Sequence, residues 1–306
     1  MIEVAHLTKR FGDITAVRDL SFIVQPGRVT GFLGPNGAGK TTTLRTIAGL
    51  DIPSSGVVRV NGGPFSGHRA PLHELGVLLD SGYLQGKRSA RAHLTALAAT
   101  HGLEKGRVDE VLMLAGISDL ASRPAGRFSL GMRQRLGIAA AVLGNPRTLI
   151  LDEPINGLDP DGVVWVRTLL RQLADAGRTV FLSSHLLSEM ALIADHVIVI
   201  GRGRLIADAA LDELLTAAGE SRVTVRTPDA SALAAALVTR SATVETVPPN
   251  RLEVTGMSAA EVADVAARLG ARVHELKTER ATLEDAYLAL TDSSVQFRAT
   301  VRPHSA

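Results

Sequence analysis

Gly34-Pro35-Asn36-Gly37-Ala38-Gly39-Lys40-Thr41-Thr42 follows the apolar run Arg28-Val-Thr-Gly-Phe-Leu33 and leads into a helical pattern from Thr42 to Leu50. Strand, glycine-rich loop and helix thus succeed one another, the order a phosphate-binding loop requires. Glycines let consecutive backbone N–H groups close around a triphosphate. Lys40 adds a cation for the β and γ oxygens, and the Thr41 hydroxyl can ligate Mg²⁺. With 29 glycines and five lysines in 306 residues, such a pattern arises by chance in roughly a few chains per thousand. The stretch therefore predicts an α/β fold of the P-loop NTPase class, with Asn36, Gly37, Ala38 and Gly39 lining the phosphates between Gly34 and Thr42.

Leu149-Ile150-Leu151-Asp152-Glu153-Pro154 supplies the carboxylates such a loop needs. An apolar run ending in acids reads as a buried parallel strand whose C-terminal end faces the ligand crevice. Asp152 is the expected holder of Mg²⁺. Glu153, one residue beyond the sheet, is placed to orient and deprotonate an attacking water. In isolation an Asp-Glu pair reads as two solvated loop acids; after a phosphate-binding loop the catalytic reading prevails, and ATP hydrolysis is the expected chemistry.

Composition bounds the rest. The chain can hold one large domain and a small one, and 45% hydrophobic with 3% aromatic residues suits an aliphatic α/β core. No apolar run reaches the ~18 residues of a membrane span, and Met1-Ile-Glu-Val-Ala-His lacks the regions of a signal peptide. A cytoplasmic protein is expected. Zero cysteines exclude disulfides and thiolate metal sites. The 33 cations are spread along the chain beside 31 acids, for a net charge of +2, so no nucleic-acid partner is expected.

Between loop and carboxylates lies Arg127-Phe128-Ser129-Leu130-Gly131-Met132-Arg133-Gln134-Arg135, where Ser129 precedes an apolar-periodic run through Leu143. Ser129 reads as a helix N-cap. Exposed N–H groups and the positive dipole end make such a start an anion site, although Ser-x-Gly alone is an ordinary cap.

With these three elements in place, the chain resembles the nucleotide-binding subunit of ABC transporters. Phe128-Ser129-Leu130-Gly131-Met132 is similar to the family's signature Leu-Ser-Gly-Gly-Gln, differing at the first, third and fifth residues and keeping Ser129 and Gly131. The resemblance implies that this motif faces the γ-phosphate bound by a second subunit, in a head-to-tail dimer holding two nucleotides. It covers residues 1 to about 210. Phe11 stands where the family stacks an aromatic on adenine, a core Phe being the alternative. Asn156-Gly157-Leu158-Asp159-Pro160 resembles the dimer-crossing loop, with Asp159 in its place. His185, ending Phe181-Leu-Ser-Ser-His185, falls at the switch histidine that touches the γ-phosphate. Where the family has a Gln reaching Mg²⁺ and water, Asp80 stands nine residues before Ser89. Asp80 is shorter and anionic, able to bind Mg²⁺ but not to donate; Gln85 is a poorer candidate. Together with Gly86 to Leu94, this resembles antibiotic-resistance subunits of the daunorubicin type.

Residues 1 to 79 and 146 to 210 alternate apolar runs with helical patterns, and a helical subdomain is expected at about 80–145, with helices over Leu94–Ala99 and Val108–Ala115. Tyr83 and Leu84 are candidate partner contacts, with local packing as the alternative. The nucleotide-binding domain is set at 1–214. Strands at Arg222–Arg226, Arg251–Val254 and Arg272–Leu276, with helices at Ser231–Thr239 and Leu283–Leu290, predict an accessory α+β domain at 215–292. Residues 293–306 lack periodicity and are expected to be disordered. Trp165 reads as packing. The resemblance implies ATP and Mg²⁺ as ligands, a second nucleotide-binding subunit (a homodimer, which the complete set of site residues permits, with a paralogue as the open alternative), a separate membrane permease, and attachment to the cytoplasmic face of the membrane as the motor of a drug or antibiotic exporter. Two readings stay open: a soluble ABC-type ATPase acting on ribosomes or DNA, against which stand the single P-loop and the lack of heptads, and a P-loop ATPase of another family, which would not need Ser129 and Gly131.

Overall fold

Alternating apolar residues in Ile2–Phe11 (β1) and Ile14–Val24 (β2) fold as an antiparallel hairpin that buries Ile2, Val4, Leu7, Val17, Leu20, Phe22 and Val24. The structure, a computed structural model, describes residues 1–79, 86–104, 106–217, 222–279 and 282–291. Val29–Leu33 (β3) is buried throughout and hands the chain to the glycine-rich loop and Lys40–Ile47 (α1). Ser55–Val60 (β4) pairs with the free edge of β1, completing a three-stranded sheet.

After the short helix Pro71–Glu74 (α2), Leu75–Leu78 (β5) forms one edge of a second, six-stranded sheet. Ala90–Thr100 (α3), Gly106–Leu114 (α4) and Leu130–Val142 (α5) follow, burying Leu94, Val111, Leu112 and Leu136. Among the described residues of 86–145 there is no named strand. The chain then returns as Thr148–Asp152 (β6), Pro160–Asp175 (α6), Thr179–Ser183 (β7), Leu187–Ile193 (α7), His196–Gly201 (β8) and Arg204–Ala210 (β9). The sheet order is β5-β6-β7-β3-β8-β9, parallel except for the antiparallel β8/β9 pair. This is the α/β P-loop architecture the opening stretch predicts.

Phe22 of the hairpin sheet meets Phe32 and Phe181 of the parallel sheet, with ring centroids 5.1 to 5.8 Å apart and tilted. Three of the seven phenylalanines thus join the two sheets beneath the loop, each contributing roughly 1.5–3 kcal/mol of burial. α1 starts at Lys40 rather than Thr42, because Gly39 already turns the chain.

By proximity of Cα atoms the chain divides at 211/212, giving Met1–Leu211 and a second unit of Asp212–Ala289. Leu211–Ala217 (α8) begins at that boundary. The second unit runs Arg222–Arg226 (β10), Ala230–Val238 (α9), Thr243–Val247 (β11), Arg251–Thr255 (β12), Ala259–Leu269 (α10), Glu275–Glu279 (β13), then Leu283–Thr291 (α11) as far as Ala289. Its antiparallel sheet has order β11-β12-β10-β13. Val223, Val225, Leu233, Leu237, Leu252, Val254, Val262 and Val265 form its core. The last strand lies three residues beyond the expected Arg272–Leu276, because His274 N bonds Arg226 O and the ladder with β10 begins only at Glu275. Two elements were not expected. β11 is mostly exposed and weakly patterned, whereas α10 carries a legible capping box of Ser258 and Glu261.

Candidate active site

The glycine-rich loop leaves β3 through Gly34, where a Cβ would overlap Ile200 O, and reaches α1 through Gly39, whose φ of 101° excludes other side chains. A Cβ on Gly39 would also come 2.6 Å from Ala16 O. No side chain caps α1, so the N–H groups of its first turn face the loop, as an anion site requires.

Lys40 is buried, and its Nζ donates to Gly34 O (2.6 Å) and Pro35 O (3.3 Å). Burial pushes its pKa below the ordinary lysine value, while the charges of Glu153 and Asp152 pull it back up. A desolvated ammonium satisfied only by carbonyls fits a place built for a polyanion. Around it lies a cavity of about 350 Å³ lined by Ala16, Asn36 to Thr42, Asp152 and Glu153. Two larger hollows, of about 470 and 460 Å³, contain none of these residues.

β6 carries Asp152 to the same end of the sheet, but β7 lies between β6 and β3. Thr41 bridges that strand: its Oγ1 donates to Asp152 Oδ2 at 2.9 Å. The other carboxylate oxygen accepts from Ser183 Oγ, the residue in register with Asp152 on β7. A hydroxyl and a carboxylate are the few hard oxygens from which Mg²⁺ is held together with substrate phosphates and water. Among the described residues no cluster of three or more His, Asp or Glu could form an all-protein cage.

Glu153 has φ 51°, a left-handed conformation that costs roughly 1–3 kcal/mol outside glycine. Four contacts hold it. Its N–H donates to Ser183 Oγ (3.0 Å) and Ser183 O (3.3 Å), and its carbonyl accepts from Asn156 N (3.2 Å) and Gln134 Nε2 (3.1 Å). Its carboxylate Oε2 lies 2.8 Å from His185 Nδ1 and accepts from His185 N at 3.3 Å. A carboxylate beside the cavity and paired to an imidazole can take a proton from water and pass charge to a neighbour.

Ser129, Gly131 and Asp159 gather in a second group outside the cavity. Ser129 Oγ accepts from Met132 N (3.2 Å), capping α5 as expected, and stays exposed. A Cβ on Gly131 would come 2.8 Å from Gly157 O, so the start of α5 packs directly on the loop that leads to Asp159. Asp159 caps α6, its Oδ1 accepting from Gly162 N at 2.9 Å. Phe11 ends β1 and is 49% exposed, with Lys9 Nζ 4.7 Å above its ring; it is not a core residue. Asp80, Tyr83, Leu84 and Gln85 lie outside the described residues.

The sequence reading missed three side chains. Ser183 hid within an apolar strand, two residues before His185. Gln134 is a buried amide on an otherwise apolar helix face, the one signal that could have exposed it. Arg135 donates to Ala115 O (3.1 Å), stacks over Trp165 at 4.8 Å, and reaches Asp159 Oδ1 at 3.9 Å. Trp165 packs as expected and also donates from Nε1 to Leu114 O at 2.8 Å.

The family model described as ABC transporter matches residues 17–156, and one described as a domain of unknown function matches 221–284. The chain is 41% identical over 217 residues to the bacitracin transport ATP-binding protein BcrA of Bacillus licheniformis, covering 70% of this chain and 71% of that one. It is 34% identical over 301 residues to the daunorubicin resistance ATP-binding protein DrrA3 of Streptomyces coeruleorubidus, covering 95% of each. Among solved structures it is similar to cbiO1 of Clostridium perfringens, described as part of the ABC transporter complex cbiONQ, with 29% identity and a TM-score of 0.62 over 70% of this chain and 90% of that one.

Proposed function

The chain belongs to the ATP-binding subunits of ABC transporters and hydrolyses ATP, and from that premise we propose that it powers an exporter of drugs, antibiotics or other hydrophobic compounds through a separate membrane permease. The observation that carries the catalytic part is the convergence of Lys40, Thr41, Asp152, Glu153 and His185 from three separate segments on one end of the parallel sheet. The names of its relatives, a bacitracin transport protein and a daunorubicin resistance protein, support export of such cargo. That cbiO1 is part of a transporter complex supports a partner. No helix among the described residues is long and apolar enough to cross a membrane, which agrees with the translocation path belonging to another subunit.

In this reading the loop N–H groups and Lys40 bind the phosphates of ATP, and Phe11 stacks on the adenine. Thr41 and Asp152 hold Mg²⁺, with Asp80 as a further contact. When bound, the metal neutralises phosphate charge. Glu153 accepts the proton of the attacking water, and His185 orients its carboxylate and contacts the γ-phosphate. Ser129, Gly131 and Asp159 face the nucleotide of a second copy, so two chains complete two sites. The nucleotide-binding domain is taken to end at 214, and the accessory domain to span 215–292.

The test is Glu153→Gln. The amide keeps shape but loses basicity, so the variant should bind ATP, form an ATP-stabilised dimer on size exclusion, and turn over at least a hundredfold more slowly. Full turnover would remove Glu153 from its role. Purification of the tagged protein in mild detergent, followed by mass spectrometry, addresses the partner: a polytopic membrane protein is expected, and ribosomal or DNA-repair proteins alone would overturn the exporter reading. For Asp80, the Mg²⁺ dependence of Asp80→Asn should change; an unaltered dependence removes the contact.

A further inference from the structure

We infer that Gln134 is a positioning residue for hydrolysis, fixing the backbone of Glu153 from the helix that carries Ser129 and Gly131. The inference rests on the reading of Glu153 as the base. Gln134 is 4% exposed, and a primary amide so buried is unfavourable unless its polar atoms are bonded. Its Nε2 donates across 19 positions of sequence to Glu153 O at 3.1 Å. Packing alone does not call for an amide there, because a methionine of nearly the same volume and length would fill the space.

What the amide adds is the orientation of one peptide plane. Glu153 O already accepts from Asn156 N, and the Gln134 bond occupies its second lone pair. With Ser183 gripping the N–H on the other side, the left-handed residue is clamped at both ends of its backbone. The carboxylate is thereby aimed at the cavity and at His185. Removing the Gln134 clamp frees the peptide to rotate, and a small misplacement of a reacting group costs rate rather than binding.

The position of Gln134 on α5 has a second consequence. Five residues upstream on α5 is its cap, Ser129, at a helical rise of about 7.5 Å. Any movement of α5 that follows engagement of Ser129 and Gly131 therefore reaches the carbonyl of Glu153 through one side chain. Gln134 links the surface that meets a second copy's nucleotide to the base of the chain's own site.

The experiment is a double-mutant cycle in single-turnover ATP hydrolysis, with ATP affinity and thermal unfolding measured on each purified full-length variant. Gln134→Met should keep the ATP Kd and lower the rate about tenfold or more. In the Glu153→Gln background the same change should add nothing, because the group it positions is gone. If Gln134→Met does not fold, Gln134→Asn replaces it, since its amide is one methylene too short to reach the carbonyl. A normal rate in the single variant, or losses that multiply in the double variant, overturns the role of Gln134 while a slow Glu153→Gln leaves the base reading standing. Full turnover in Glu153→Gln alone removes the base reading and this inference with it.

Discussion

Replacing Arg135 by Ala should loosen the junction between the helical subdomain and α6, and the size of the effect follows from its three contacts. The guanidinium side chain is 21% exposed. Its bond to Ala115 O, at 3.1 Å, is charge-assisted and contributes about 1.5–3 kcal/mol. The stack over Trp165 at 4.8 Å adds about 0.5–1 kcal/mol. The Asp159 contact is long, and that carboxylate is 71% exposed, so it adds a few tenths of a kcal/mol at most. Freeing the side chain returns about 1–2 kcal/mol of rotamer entropy, which leaves a net loss of about 1–3 kcal/mol.

The chain contains a single tryptophan, and it is the one against Arg135, so its emission reports this junction without interference. In a urea titration followed by Trp165 fluorescence, Arg135→Ala should lower the midpoint by about 0.3–1 M for an m-value near 3 kcal/mol/M. Arg135→Lys should recover less than half of that, since an ammonium cannot both stack and reach the carbonyl in a fork. A midpoint within about 0.1 M of wild type, with unchanged emission, would show that the stack and the Ala115 bond contribute nothing.

Three further outcomes are expected. Because burial lowers the pKa of Lys40, the native state releases its proton before the unfolded chain does. Stability should therefore rise with pH between that lowered value and the ordinary 10.5, a slope that thermal unfolding should lose in Lys40→Met; an identical slope in the variant would sink the argument. Ser183→Ala removes the donor to Asp152 and one acceptor of Glu153 N–H, and should lower kcat about tenfold and raise the Mg²⁺ requirement. Unchanged Mg²⁺ titrations would exclude that role. In Gly76→Ala the new Cβ overlaps Ala141 O and lies 2.9 Å from Pro146 Cγ. This should cost about 1–3 kcal/mol as β5 is pushed from α5, and a Tm equal to wild type would show that the backbone gives way freely.

The candidate-site residues on loops and strand ends were legible because the chemistry proposed for them demands particular types at fixed spacing. Gly39, Lys40 and a hydroxyl at position 41 are what a loop that wraps phosphate requires, and Asp152 and Glu153 are conspicuous after Leu149-Ile150-Leu151. Ser129 announced its helix by the capping chemistry that the structure shows. Gln134 and Ser183 were not legible in the same way. A polar residue in an apolar run has no stated partner until the chain is folded, and theirs lie 19 and 31 positions away. In the second unit the strand near Arg272 slipped by three residues, because period-two patterning fixes which face a residue takes but not where a ladder begins.

The sequence by itself determined that this chain binds a nucleoside triphosphate on a strand-loop-helix unit and brings two acids to it, since both are local requirements of glycine conformation, charge and strand burial. Only the tertiary structure decided that β7 separates the loop strand from the acidic strand, so that Thr41 and Ser183 share the two oxygens of Asp152. It also decided that Glu153 adopts a left-handed conformation gripped from α5 and β7. These are contacts between segments whose order in space is set by packing of the parallel sheet, and no single segment carries that order in its own residues.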